Sequence, residues 1–485
     1  MVASIIGTRQ LYESYLERHA NSNTSRRSNP GAARAAFVNH FRHRLGLCTK
    51  EGRNYTDRAG NRILRECPDE DARLQCEDFS IKELMESIVG HGLSSFLREP
   101  QVFANWRDQK FIVEQRHPND PRALLEAVGV GADPSAFADI NAWTAVNSGL
   151  LERRVLEQFQ NPEFIGGVIC PDEMTRIAEG QKVIGVGNIY QLPKERQPGQ
   201  PHSRASLQER WVTLPRTQDW AEAIDVTFEA AWFDLTGQVL ETAANVGKRV
   251  ALAKEYRCID AVIGVPANTG LSTGRNAFQY KGTAYALYNF GPTYTAPYPI
   301  NAQTGNGLVG ADWQVIQNSW LLLQRMLDPE SNTRIMVNAD TLIASLTGAI
   351  TLDIITGARD VQRRTSGGTT QATAPTLTVQ NTESNPAMIG GRFGVKRIIT
   401  SPLLEQRMFD ADGLNLTPAQ AAQYFWQMEA GKAFKNMVNF PLTVENIGMP
   451  TSYEMIDRKI IQTTFVNERS VPSVWSPWNV CLNKN

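Results

Sequence analysis

The chain has 485 residues, 42% apolar and 20% charged, an ordinary balance for a soluble globular protein and enough for about two to four domains with sizeable cores. Its formal net charge of −1 gives no bulk attraction for nucleic acid, so any contact with a genome is expected to be weak and local. Six scattered cysteines (Cys48, Cys67, Cys76, Cys170, Cys258, Cys481) without paired spacing predict free thiols in a reducing compartment, and no apolar run approaches the roughly 18 residues of a membrane span.

Residues 1–50 carry eight Lys/Arg against two acids, Glu13 and Glu17. This asymmetry marks an arm, either a solvated basic tail with two short helices or a segment touching nucleic acid or a scaffold surface. The apolar stretch within Met1–Arg9 is too short for a secretory signal, so the chain is expected to be cytosolic where it is made. Ile81, Leu84, Met85 and Ile88 follow i, i+3, i+4, i+7 spacing and predict a helix over Ile81–Val89; a second is predicted over about Ala138–Phe159. Up to about Phe164 the chain reads as helices joined by polar loops.

The period then changes to alternation. Ile184, Val186, Tyr190 and Leu192 share one face of an extended run interrupted by Gly185 and Gly187, residues that inside strands mark bulges or close backbone approach. Pro193–His202 is a loop tip by composition, Trp211–Leu214 resumes extended structure, and Ile224–Glu229 alternates strictly. Together they predict an outreaching hairpin over about Ile184–Phe228. An isolated two-stranded ribbon cannot bury both its faces, so its natural partner is a neighbouring subunit. That predicts a shell-building protein and not an enzyme.

From Leu235 the period is helical again: Leu235, Val239, Ala243, Val246, Val250 and Ala253 line one face of a helix predicted to reach Val262, about 42 Å long. Gly237 and Gly247 weaken it, so tertiary packing must hold it. Pro266–Gly310 reads as coil or short strand. A further helix follows, with Asp312 as N-cap and Ile316, Trp320, Leu323 and Leu327 on one face, stopped at Asp328-Pro329. Strand-like pieces at Arg334–Val337 and Val395–Thr400 flank a Ser/Thr/Gly/Gln-rich surface loop, Thr365–Pro386. The last strand is predicted over about Lys459–Asn467, followed by a Trp/Pro-rich tail; no internal repeat is present.

Motifs with catalytic associations fail on context. Gly270-Leu271-Ser272-Thr273-Gly274 matches a nucleophile elbow, but the residues after it show no apolar helical face. All six histidines (His19, His40, His43, His91, His117, His202) precede the serine, whereas the base of that hydrolase order follows it. Gly305-Asn306-Gly307-Leu308-Val309-Gly310 matches G-x-G-x-x-G and opens a helix, yet Pro297 and Pro299 oppose a central strand just before it, which favours a turn. His40, His43 and Cys48, taken with Cys67 and Cys76, fit no zinc spacing. Trp475 and Trp478 could stack on bases, though packing is the commoner use of such residues. No catalytic, cofactor-binding or metal-ligating residue is therefore expected.

The order of elements resembles the major capsid proteins of tailed bacteriophages with the Hong Kong 97 fold, nearest in style to Mu-like prophage head subunits. The resemblance runs from about Phe164 to the C-terminus. It rests on Glu179-Gly180-Gln181 opening the hairpin, Ile224–Glu229 through Asp234–Gly237 leading into the long helix, and a helix body ending near Lys254-Glu255. Asp328–Asn332, Ile398–Leu404 and Ala433–Asn436 leading to Phe440–Val444 follow in the same order.

The resemblance implies an α+β fold with an extended E-loop hairpin (about Lys182–Thr227), a spine helix, a P-domain and an A-domain. Its segments would be a helical N-terminal arm or scaffold-like region (1–163), an N-terminal strand with the E-loop (164–232), the P-domain (233–333), the A-domain (334–450) and a C-terminal return to the P-domain (451–485). The E-loop would lie over the adjacent subunit, with Lys194, Glu195, Arg196, Arg204 and Arg210 as inter-subunit contacts. Hexamers and pentamers would close into an icosahedral virion shell around double-stranded DNA, assembled in the host cytoplasm. Portal, scaffold, head protease and decoration proteins are the partners implied, with no membrane and no cofactor. Some members crosslink through an E-loop lysine, and Lys194 sits suitably, but no partner for it can be read from the sequence. The alternatives are an encapsulin-like compartment loaded with cargo enzymes and, from another class, a soluble nucleotide-binding enzyme using Gly305–Gly310.

Overall fold

The computed structural model describes residues 38–57, 60–65, 134–160, 164–177, 179–183, 211–227, 230, 238–265, 277–291, 299–308, 313–328, 334–364, 380–448 and 460–485. The helix expected over Ile81–Val89, the N-cap Asp312 and most of the basic segment 1–50 lie outside them. The described helices are α1 (38–44), α2 (Pro134–Phe159), α3 (Gly166–Ile169), α4 (Gln238–Ile263), α5 (Trp313–Gln324), α6 (Leu346–Gly357), α7 (Pro402–Phe409) and α8 (Pro418–Ala421). Fifteen strands are described: β1 (Asp172–Met174), β2 (Lys182–Val183), β3 (Val212–Thr213), β4 (Gln218–Thr227), β5 (Ala277–Tyr280), β6 (Thr283–Ala286), β7 (Ala302–Thr304), β8 (Thr341–Ala344), β9 (Asp360–Arg364), β10 (Gln380–Ser384), β11 (Arg397–Ile399), β12 (Phe425–Met428), β13 (Phe434–Gly448), β14 (Ile460–Val474) and β15 (Val480–Lys484). The class is α+β. The chain divides into two compact units, one of residues 1–161, 219–252 and 440–469, the other of 162–218, 253–439 and 470–485, with boundaries inside α4, β13 and β14.

In the first unit α2 buries Val146, Leu150, Leu151, Val155 and Leu156, a helical repeat. The buried Glu152 between them is held by Arg42 at 2.9 Å and by Arg62, so its charge is paired from two directions. β4 alternates as its sequence predicts, Ile224 and Val226 inward and Asp225 outward, and Asp225 accepts a 2.8 Å hydrogen bond from the Thr463 hydroxyl of β14. The first half of α4 buries Val239, Leu240, Ala243, Val246 and Val250, close to the face predicted. Gly247 faces the backbone of α2: a Cβ there would stand 2.4 Å from the Val155 carbonyl oxygen. The residue that weakens the helix is the one that lets a second helix approach.

The second unit is built on a five-stranded mixed sheet of order β11-β8-β12-β15-β7, in which β11/β8 and β15/β7 are parallel and the two central pairings antiparallel. Its inner strands are buried on both faces. Ile343, Trp426 and Met428 enter a core shared with Cys258, Ile259, Val262 and Ile263 of α4, whereas Leu342, Ala344 and Phe425 enter a second core with Ile316 of α5 and Leu352 and Ile355 of α6. Such strands read as continuous apolar runs because neither face meets water. Trp478 is fully buried and packs edge-on against Phe278 and Tyr280, at 5.9 and 5.8 Å between ring centroids.

Three sequence expectations change. Arg334–Val337 contributes only a bridge from Arg334 to Leu327; the strand is β8, a few residues on. The flanks of the expected loop Thr365–Pro386 form an antiparallel ribbon, β9 against β10, with 365–379 outside the described residues. The tail is structural: Pro477–Asn479 form one 3-10 turn that seats Trp478, and β15 then lies inside the sheet between β12 and β7.

Candidate subunit interface

The hairpin expected over about Ile184–Phe228 changes: the paired strands are β2 and β3, while β4, its expected return strand, lies beside β14 in a different sheet. β2 and β3 pair antiparallel as a short stem, Lys182 opposite Thr213 and Val183 opposite Val212. The stem is locked from three sides. Leu214 N–H donates to the Gln181 carbonyl at 2.8 Å, Lys281 N–H donates to the Trp211 carbonyl at 3.1 Å, and the Lys182 ammonium stands 4.3 Å over the Trp211 ring. β3 continues into β5 and β6, giving a four-stranded antiparallel sheet of order β2-β3-β5-β6. Lys194, Glu195, Arg196, Arg204 and Arg210 all fall within 184–210, outside the described residues.

The second half of α4 is tied to α7 and α3. Buried Asp260 receives two hydrogen bonds from buried Arg407 of α7, Nε at 2.7 Å and Nη2 at 3.0 Å, a bidentate pair. The same guanidinium also donates to the Asp412 carbonyl and pairs with Asp410 at 3.2 Å. Burial pushes the Asp260 carboxyl above its usual value, and the guanidinium opposes that rise. One turn earlier, Glu255 accepts from the Ile165 and Gly166 amides at 2.9 and 2.7 Å, satisfying the first N–H groups of α3. Its carboxyl is also raised, by burial, which those two amides and Lys254 partly offset.

The apolar surface that faces outward was not foreseen. α6 buries Gly348, Ala349, Leu352, Ile355 and Thr356, while Leu346, Ile350 and Ile354 lie exposed at i, i+4, i+8. Ile350 is 63% and Ile354 69% exposed. The signal was in the sequence, since Leu346–Ile355 is apolar at positions that cannot share one helix face.

Residues with possible chemistry are occupied by structural work. In the G-x-G-x-x-G segment the Asn306 amide donates to the Lys484 carbonyl and the Leu308 amide to the Gln423 carbonyl, so these N–H groups do not point at an open phosphate site. A Cβ on Gly307 would stand 2.9 Å from the Asn485 backbone, and Asn306 shares a side-chain network with Asn318 and Asn483. An open groove of about 440 Å³ lies alongside, lined by Gln303, Thr304, Asn318, Leu322 and Arg325. The elbow motif Gly270–Gly274, Val309 and Gly310 lie outside the described residues. His43 Nδ1 is 2.8 Å from the Cys48 carbonyl, and the Cys48 thiol donates to the Asn39 carbonyl. Cys48, Cys170, Cys258 and Cys481 are free and buried, and burial raises the Cys481 thiol to about 12, far from a reactive thiolate. Among the described residues no helix is long and apolar enough to cross a membrane.

No protein-family model matches the sequence, and no curated protein matches it. Among solved structures the chain is similar to a phage-related protein from Bordetella bronchiseptica (12% identity, 69% of this chain and 95% of that one, TM-score 0.35). It is similar as well to the capsid of the cyanophage P-SCSP1u (11% identity, 66% and 88% covered, TM-score 0.37) and to a virus-like particle from Pyrococcus furiosus (9% identity, 69% and 98% covered, TM-score 0.31). At these scores the functional reading rests on the chain's own elements.

Proposed function

We propose that this chain is a major capsid subunit of the Hong Kong 97-like kind, which assembles with copies of itself into a closed icosahedral shell around phage or prophage double-stranded DNA. The observation that carries the reading is the stem: a two-residue ladder, Lys182–Val183 against Val212–Thr213, pinned to a small antiparallel sheet. A two-stranded ribbon is marginal on its own, so on this reading residues 184–210 would be an arm whose contacts belong to a neighbouring copy. The long helix α4 and the mixed sheet supply the rigid base that such a projecting arm requires.

On this reading residues 164–232 hold the E-loop, 233–333 the P-domain and 334–450 the A-domain, with 451–485 returning to the P-domain and 1–163 forming an arm or scaffold-like region. Lys194, Glu195, Arg196, Arg204 and Arg210 would meet the neighbouring subunit. The protein acts by repeated interfaces, with no reaction of its own. Its place is the virion shell, after assembly in the host cytoplasm, with portal, scaffold, head protease and decoration proteins as possible companions and DNA held by weak contacts. The test replaces residues 184–210 with a short Gly/Ser turn joining Val183 to Trp211. The variant should keep the unfolding profile of the remaining fold and lose assembly; a variant that still forms the same particles overturns the assignment of this segment.

A further inference from the structure

We propose that the outward face of α6 is a contact surface for a second copy of this chain, an inference that rests on the capsid reading and assigns it an interface away from the projecting hairpin. A surface helix of a globular protein turns polar residues to solvent. α6 turns Leu346, Ile350 and Ile354 outward in one stripe, 39%, 63% and 69% exposed, although its opposite face is already buried against the sheet. The loop after β10 carries two further exposed apolar residues. Asn385 fixes that loop to the end of α6 by donating to the Ile355 and Ala358 carbonyls at 2.6 and 2.8 Å, and the loop exposes Met388 and Ile389.

Charge and area identify the occupant as another copy. Asp353 lies exposed on α6 next to Ile354, Arg359 lies exposed two residues past the helix, and Arg392 lies exposed in the loop after β10. Among the described residues none of the three has an ion-pair partner in its own copy, so opposite charges stand available for pairing between copies. The five apolar side chains offer on the order of a few hundred Å², well short of the roughly 800 Å² per partner of a free-standing complex. A surface of that size is stable as one contact of many repeated by symmetry, not as an isolated dimer. It is also convex, a helix flank, and so encloses no small molecule.

The experiment compares wild type with Ile350→Glu and Ile354→Glu, using Met336→Glu as control because Met336 is 84% exposed and stands apart from the stripe in sequence. An unpaired carboxylate buried at the contact should raise the protein concentration needed for assembly about tenfold or more, while the control assembles as wild type. Ile354→Cys provides a readout independent of whether the glutamate variants fold. Its maleimide labelling should be at least about tenfold slower in particles than in dissociated subunits. Equal labelling in both states, or unchanged assembly of both glutamate variants, overturns the inference and leaves the capsid reading standing. A wild type that never assembles removes the reading itself.

Discussion

Replacing Gly247 with alanine sets two effects of opposite sign against each other. Alanine is the better helix former by about 1 kcal/mol, so on an open helix face the change stabilises. At Gly247 the added Cβ would meet the Val155 carbonyl oxygen at 2.4 Å, Val155 Cα at 2.9 Å and the carbonyl carbon at 3.0 Å. These are backbone atoms of a helix, so relief requires α2 to move away from α4. Overpacking costs about 1 to 3 kcal/mol, and a clash with backbone belongs at the upper end, leaving a net loss of about 2 kcal/mol after the propensity gain. Gly357→Ala is the internal control, because a Cβ there has no neighbour within 4 Å and the backbone is not in the left-handed region. Equilibrium denaturant unfolding of dissociated subunits should show Gly247→Ala with a lower midpoint and Gly357→Ala with a midpoint unchanged or slightly higher. If Gly247→Ala is as stable as wild type, the close approach of α2 and α4 is wrong.

Asp260→Asn should cost about 3 kcal/mol, because it removes the bidentate partner of buried Arg407 and leaves that charge only the half-exposed Asp410, and pairing it with Arg407→Met should recover much of the loss; a double variant no better than the single, in thermal unfolding, contradicts the clamp. Glu255→Gln tests the effect of burial. A carboxyl raised in the folded state lends its full stability below its usual value of 4.5 and loses it as pH rises through the folded value, so the variant should gain on wild type as pH climbs from about 4.5. A stability difference that moves the other way would mean that the two amide donors outweigh desolvation. Trp478→Ala should cost about 3 to 5 kcal/mol, since the indole is fully buried against Phe278 and Tyr280; a loss under 1 kcal/mol would return the C-terminal segment to the surface.

The elements legible in the sequence are those with one wet face. α4, α5 and β4 each set an apolar stripe against polar residues, and their spans fall within a few residues of the periodic ones. β8 and β12 were missed because both faces are covered and no alternation survives. β14 was read too short because it buries Gln462, Thr464, Glu468, Ser470 and Ser473, polar side chains that hydropathy assigns to a surface. Proline and tryptophan around Trp478 suggested a loose tail, whereas the chain turns there into an inner strand. Of the hairpin only the extended run at Trp211–Leu214 matches a described strand, since β4 pairs elsewhere, and the apolar flank of α6 is hidden in the sequence because a helix apolar all round resembles a buried one.

The most direct measurement is the size and shape of the purified chain, by light scattering and negative-stain microscopy over a range of salt and protein concentration. Capsomers or closed megadalton shells are the result expected. A monodisperse monomer under every condition would contradict the account.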